Sequence, residues 1–246
     1  MKATRPTRED VVVHSAQNTD RRQNTDGKQN PAARVAPVLL AVAGLLFAAY
    51  PATRPYRDET TLDGAAAMSS TAWTLAHTAA MIGFILLPLA LLGLRAAVGG
   101  TRGEGPAAAA FVTALLGAGL TLPYYGGETF GIKAVSDLAT QHADPTMLTQ
   151  TETVRLDPAP AAFFLGGMLL LAAAGVLTAL ALNRSGRFPA WAALPFAAGL
   201  VLFIPQFFGP AAARVGHGLL LAVGCWVLAW ALSRVKAAPR AIQHRE

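Results

Sequence analysis

Seven side chains in this sequence are costly to bury in apolar surroundings and could do chemistry there: His77, Tyr124, Tyr125, Glu128, Gln206, Arg214 and His217. An ionisable group near the centre of a bilayer costs about 2.5–3.5 kcal/mol on insertion scales, so each such residue is a functional candidate. His77 follows Thr71, a candidate N-cap in Ser69-Ser70-Thr71, by six residues, which places it about 9 Å along a helix. His217 follows Pro210 by seven, a similar depth. Three chemistries fit the set. Two histidines on separate helices can ligate a haem b iron axially, and a His-His-Glu set can hold zinc or non-haem iron. The spacing favours neither, because no short-spaced ligand pair such as HExxH is present. Third, Glu128 beside Tyr124, Tyr125 and Phe130 can act as proton donor or acceptor toward a lipid or isoprenoid-like substrate. His77 and His217 would assist, and Arg214 would bind a phosphate or carboxylate head. The Asp-rich repeats of a magnesium-dependent prenyl transferase are absent, as are Walker, CxxC and Gly-x-Ser-x-Gly motifs.

The elements that must position these residues follow from where charge is missing. Of 246 residues, 53% are apolar and 14% charged, and the mean hydropathy is +0.41. A soluble domain carries about 25% charge. Charge-free windows cover 35–53, 64–94, 105–127, 158–183, 188–213 and 215–233, each near or above the ~20 residues that cross a hydrocarbon core as a helix. A soluble enzyme, a disulfide scaffold and a disordered chain are excluded. The expected fold is all-α: a polytopic bundle of six transmembrane helices over 35–53, 71–94, 106–127, 159–183, 188–208 and 211–233. A basic tail, 1–34, is expected to be disordered because it lacks apolar surface. An outer loop over 128–157 and a second tail over 235–246 complete the organisation. Phe130, Ala134, Val135 and Leu138 share one helical face, so residues 129–139 either extend the third helix or lie on the interface. Window 35–53 is read as an uncleaved first span.

Six spans put both termini on one side, and charge says which. With the termini cytoplasmic, the inner segments hold 15 of the 20 Lys and Arg, while the outer loops hold eight of the 14 acids. This is a positive-inside distribution, so the net charge of +6 reports orientation rather than nucleic acid. Arg outnumbers Lys 16 to 4, which points to GC-rich coding and a bacterial plasma membrane. Gly119–Gly126 is similar to Gly199–Gly209, and Ala76-His77 to Gly216-His217, the pattern of a parallel repeat of helical hairpins.

The stretches Leu75-Ala76-His77, Tyr124-Tyr125-Gly126-Gly127-Glu128-Thr129-Phe130-Gly131 and Leu202-Phe203-Ile204-Pro205-Gln206-Phe207-Phe208 resemble small multi-span membrane proteins of GC-rich bacteria that carry no assigned activity. The resemblance covers about residues 70–235 at motif level and implies the fold but no reaction. Function is expected to be that of a binding or accessory membrane subunit with an outer-leaflet pocket for a hydrophobic ligand or redox cofactor. The alternatives are the Glu128 enzyme and a scaffold without ligand. The bilayer, a hydrophobic small molecule and a membrane protein are the expected partners.

Overall fold

The computed structural model describes residues 30–234. The tail over 1–34 falls outside the described residues up to position 29, and the tail over 235–246 does so entirely. Pro31 to Arg34 are already helical, so the first helix starts ahead of its charge-free window. All regular structure among the described residues is helical, and five helices are long and apolar enough to cross a membrane.

Helix α1 (Pro31–Thr53) starts with Pro31 in its first turn, and the Asn30 side chain accepts from the Ala32 N–H at 3.0 Å. Helix α2 (Leu62–Ser69) is short and precedes α3 (Thr71–Ala97). The cap of α3 is Ser70, whose Oγ accepts from the Trp73 N–H at 3.2 Å, not the expected Thr71. Helix α4 (Glu104–Gly126) does not end where its window ends. It widens into a π turn over Gly127–Gly131, closed by the Ile132 N–H on the Gly127 carbonyl, and continues as α5 (Ile132–His142). The apolar unit is thus 39 residues long, about 58 Å at 1.5 Å per residue. Residues 129–139 extend the helix, and the expected loop 128–157 is helical for most of its length. After a 3-10 turn, Pro145–Thr149, it closes with α6 (Gln150–Leu156).

Helix α7 (Pro158–Ser185) stops at Gly186, whose φ of +63° is the left-handed conformation that glycine adopts without strain. The expected single helix over 188–208 is instead broken. It comprises a 3-10 turn, Ala190–Ala193, then α8 (Leu194–Val201) and another 3-10 turn, Pro205–Phe208. Pro189, Pro195 and Pro205 each lack the N–H that a continuous helix needs. The apolar helical run Ala190–Val201 is too short to cross a membrane unaided. Its ends are nonetheless far apart along the bundle: Arg187 donates to the Ala97 carbonyl at one end, and the Phe207 carbonyl accepts from Arg214 at the other. Helix α9 (Ala211–Ser233) runs back. The suggested repeat pairs α4 with this segment, and the two take different forms, one continuous and one broken.

Packing closes a ring in the order α1, α3, α4, α7, α8, α9 and back to α1. Two glycine contacts show how closely. A Cβ on Gly93 of α3 would run into the Ala32 backbone of α1, and one on Gly117 of α4 would meet the Gly167 carbonyl of α7 at 2.9 Å. At one end of the ring α2, α5 and α6 build a cap with its own apolar centre of Ala65, Met68, Trp73, Ile132, Ala139 and Leu148.

Candidate functional site

The site lies under this cap, and the π turn makes it. Gly126, Gly127 and Gly131 have low helix propensity, so the chain there widens at little cost. The extra residue turns Glu128 and Thr129 inward while leaving Phe130 60% exposed. Thr129 fastens the turn by donating to the Tyr125 carbonyl at 2.6 Å. Gly127, without a side chain, admits Val154 of α6 to 3.1 Å from where its Cβ would sit. That contact brings the next residue, Arg155, over Glu128.

The result is a row of four alternating charges, Arg54, Glu59, Arg155 and Glu128, with the His77 imidazole at its end. Arg155 Nε donates to Glu128 Oε1 at 2.6 Å and Nη2 to Oε2 at 3.0 Å, a bidentate pair. Its Nη1 donates to Glu59 Oε2 at 2.6 Å, and Arg54 Nη2 completes the row on Glu59 Oε1 at 2.7 Å. At the other end His77 Nε2 stands 3.9 Å from Glu128 Oε2. Burial alone would lower the pKa of the Arg155 guanidinium, but Glu128 and Glu59 beside it outweigh burial and hold it above its ordinary value. Burial pushes the Glu59 carboxyl up, and the two arginines more than offset this, holding it below its ordinary value. Trp73 braces the row by donating from its indole to the Glu128 carbonyl at 2.8 Å, and Arg54 lies 4.7 Å above the same indole.

His77 is fixed from behind. Its Nδ1 lies 2.8 Å from the Trp73 carbonyl, which can only accept, so Nδ1 carries a proton and Nε2 is the atom turned to Glu128. The ring is buried against Trp73, Tyr50 and Tyr125.

Above this floor is a cavity of about 980 Å³, at the upper end of the range for small-molecule sites. His77, Tyr124, Tyr125, Glu128 and Arg214 all line it, so five of the seven sequence candidates share one space. The opposite wall is apolar, with Phe164, Ile204 and Phe207 from α7 and the broken segment. Leu156, Leu165 and Phe208 are also lining residues and are 69%, 50% and 89% exposed, which makes the rim greasy and open.

His217 and Gln206 do not line this cavity. They line a cleft of about 330 Å³ with Leu202, Pro205 and Ala213, and on their other side a narrow gap shared with Tyr50, Arg54, Phe207 and Arg214 of the cavity wall. His217 Nε2 donates to the Gly199 carbonyl at 2.7 Å, a structural bond that holds α9 to α8. The haem reading therefore does not fit: the two histidines face different spaces, and one has its Nε2 occupied by backbone. Nor, among the described residues, do three His, Cys, Asp or Glu side chains gather as a metal site. Arg54, Glu59 and Arg155 were missed as site residues. In the sequence they read only as outer-loop charge, and nothing local signals that residues 96 positions apart, Glu59 and Arg155, would meet.

Compared with known proteins, the chain matches no family model, no curated protein and no solved structure.

Proposed function

We propose that this is a six-crossing protein of a bacterial plasma membrane, with cytoplasmic termini, that binds a hydrophobic ligand in the cavity beneath its outer cap. The broken segment 188–208 is the fifth crossing in chain order, sheltered between α7 and α9, where prolines and turns are tolerated because neighbouring helices cover them. The distribution of Lys and Arg supports the orientation. The observation that carries the binding reading is the cavity itself, which combines an apolar wall and an exposed greasy rim with a polar floor. A lipid-like molecule could reach it from the bilayer without passing through water.

The test is a substitution that fills the space. Ala161 lines the cavity at the start of α7, and Ala161→Phe should abolish binding of a fluorescent alkyl probe to the purified protein while leaving its thermal stability within a few degrees. Wild-type protein that binds no alkyl probe would leave only the scaffold reading.

A second reading is an intramembrane enzyme acting on the same class of ligand. His77 favours it, because a buried imidazole with its Nδ1 bonded from behind and Nε2 beside a carboxylate has the geometry of an oriented general base. Both Glu128 oxygens are held by Arg155, so the proton would move at His77 Nε2, with the Trp73 carbonyl positioning the ring and the Glu128 carboxylate stabilising it once protonated. Loss of turnover in His77→Ala with alkyl-probe binding retained would support this; equal turnover would sink it.

A further inference from the structure

The geometry points to a ligand of defined class: a single-chain amphiphile whose anionic head, a phosphate or carboxylate, sits on Arg214. This rests on the cavity being a ligand site, and adds what the ligand must carry. Every other arginine on the cavity wall has an acid: Arg54 and Arg155 share Glu59, Arg155 also holds Glu128, and Arg57 pairs with Asp63 at 3.2 Å. Arg214 has none among the described residues. It is half-buried, and its one hydrogen bond runs from Nη2 to the Phe207 carbonyl at 2.9 Å, with the guanidinium 5.7 Å from the Phe207 ring. A guanidinium has five N–H donors, so four remain for an anion, and the bond to Phe207 fixes the direction of the fork.

One further observation agrees. Helix α9, 23 residues long, begins at Ala211 on the cavity wall without a side-chain cap; the Ala213 and Arg214 N–H groups bond the Pro210 carbonyl, which leaves those of Ala211 and Ala212 for an anion beside Arg214. The apolar wall of Phe164, Ile204 and Phe207 would then run along the chain of the ligand.

The experiment uses the full chain in nanodiscs of zwitterionic lipid and four probes: dodecyl phosphate, dodecanoate, dodecanol and inorganic phosphate. Both anionic amphiphiles should bind at least about tenfold more tightly than dodecanol, the worth of a charged hydrogen-bonded pair. Arg214→Gln should erase that difference by weakening only the anions, and Arg214→Lys, which keeps charge but not the fork, should retain part of it. Should Arg214→Gln not fold, the lysine variant carries the comparison. Equal binding of dodecanol and dodecyl phosphate to the wild type overturns the anionic head while leaving the hydrophobic cavity intact. Failure of all three alkyl compounds overturns the cavity reading itself. Inorganic phosphate competing as strongly as dodecyl phosphate overturns the amphiphile and makes the occupant a free anion.

Discussion

The two ends of the helical ring are held together by different interactions. Away from the cavity, helices meet through backbone and small side chains: Gly93 lies against the Ala32 backbone, Gly224 against that of Phe196, and the buried polar groups there, such as Thr178, bond only to their own helix. At the cap end, contact runs through a row of ion pairs, an aromatic cluster and a widened helix around an open space. Close packing is the cheaper way to join apolar helices, so its absence at one end is informative. That end accepts buried charge and a large void, which is the usual mark of a site rather than of a scaffold.

The sharpest way to break this contrast is to remove one member of the charge row. Glu128→Ala leaves Arg155 facing Glu59 alone, and Arg155→Ala leaves two carboxylates without their shared cation. Truncating one partner of a buried pair costs about 3–5 kcal/mol. With Arg155 22% and Glu128 11% exposed, partial solvation puts the expected loss near the lower figure, about 3 kcal/mol. Denaturant titration of purified protein checks it, and replacing both residues together should recover part of the loss. An effect under about 1 kcal/mol would mean that the row is solvated and the two ends are alike.

The opposite end is tested by adding a single carbon. Gly93→Ala drives a methyl group into the α1 backbone, which has no flexible side chain to give way. Overpacking of this kind costs about 1–3 kcal/mol. The same variant should leave alkyl-probe binding unchanged, since Gly93 is not among the residues lining the cavity. Loss of binding in Gly93→Ala would show that the ends are coupled.

How much of this was legible beforehand differs between the ends too. Charge-free windows locate α1, α3, α4, α7 and α9 because hydrophobic length is a local property. They fix depth as well, which is why His77, Tyr124, Tyr125, Glu128 and Arg214 do share a cavity. Depth says nothing about azimuth, and so Gln206 and His217, at the same level, stand behind the cavity wall and open onto a different cleft. The π turn was unreadable because nothing in the pattern announces one extra residue, and that residue rotates the side chains after it by about 100° around the helix. Leu202 to Gly209 carried a visible warning in Pro205 and Gly209, yet an apolar window invites a continuous helix. Arg155 was hidden by its own charge. A lone arginine in a presumed loop counts toward orientation, and only the fold of α6 on Gly127 turns it inward.

Acid should act at the cap end alone. Glu59 is held below its ordinary value of 4.5 by Arg155 and Arg54 against the opposing effect of burial. A carboxyl lower in the folded than in the unfolded chain contributes stability above its unfolded value and loses it as pH falls through the folded one. Thermal stability should therefore decline as pH drops below about 4.5, and Glu59→Gln should flatten that decline while lowering stability at pH 7. A wild-type midpoint that stays constant from pH 6 down to 3.5 would rule out the row as a source of stability.

The smallest expected effect is the control on the whole contrast. Arg57 and Asp63 form an ion pair at 3.2 Å in the same cap, but their side chains are 61% and 75% exposed. Water screens such a pair and ordering two side chains costs entropy, so its worth is about 0–1 kcal/mol. Asp63 also lies in the first turn of α2, where a negative charge gains slightly from the helix dipole. Asp63→Asn should thus lower stability by no more than about 1 kcal/mol, and raising salt should remove what little there is. Since Glu59 lies only four residues away and belongs to the buried row, comparing Asp63→Asn with Glu59→Gln by the same denaturant titration isolates burial as the variable. A loss in Asp63→Asn equal to that in Glu59→Gln would show that the cap responds to charge in general rather than to the enclosed row.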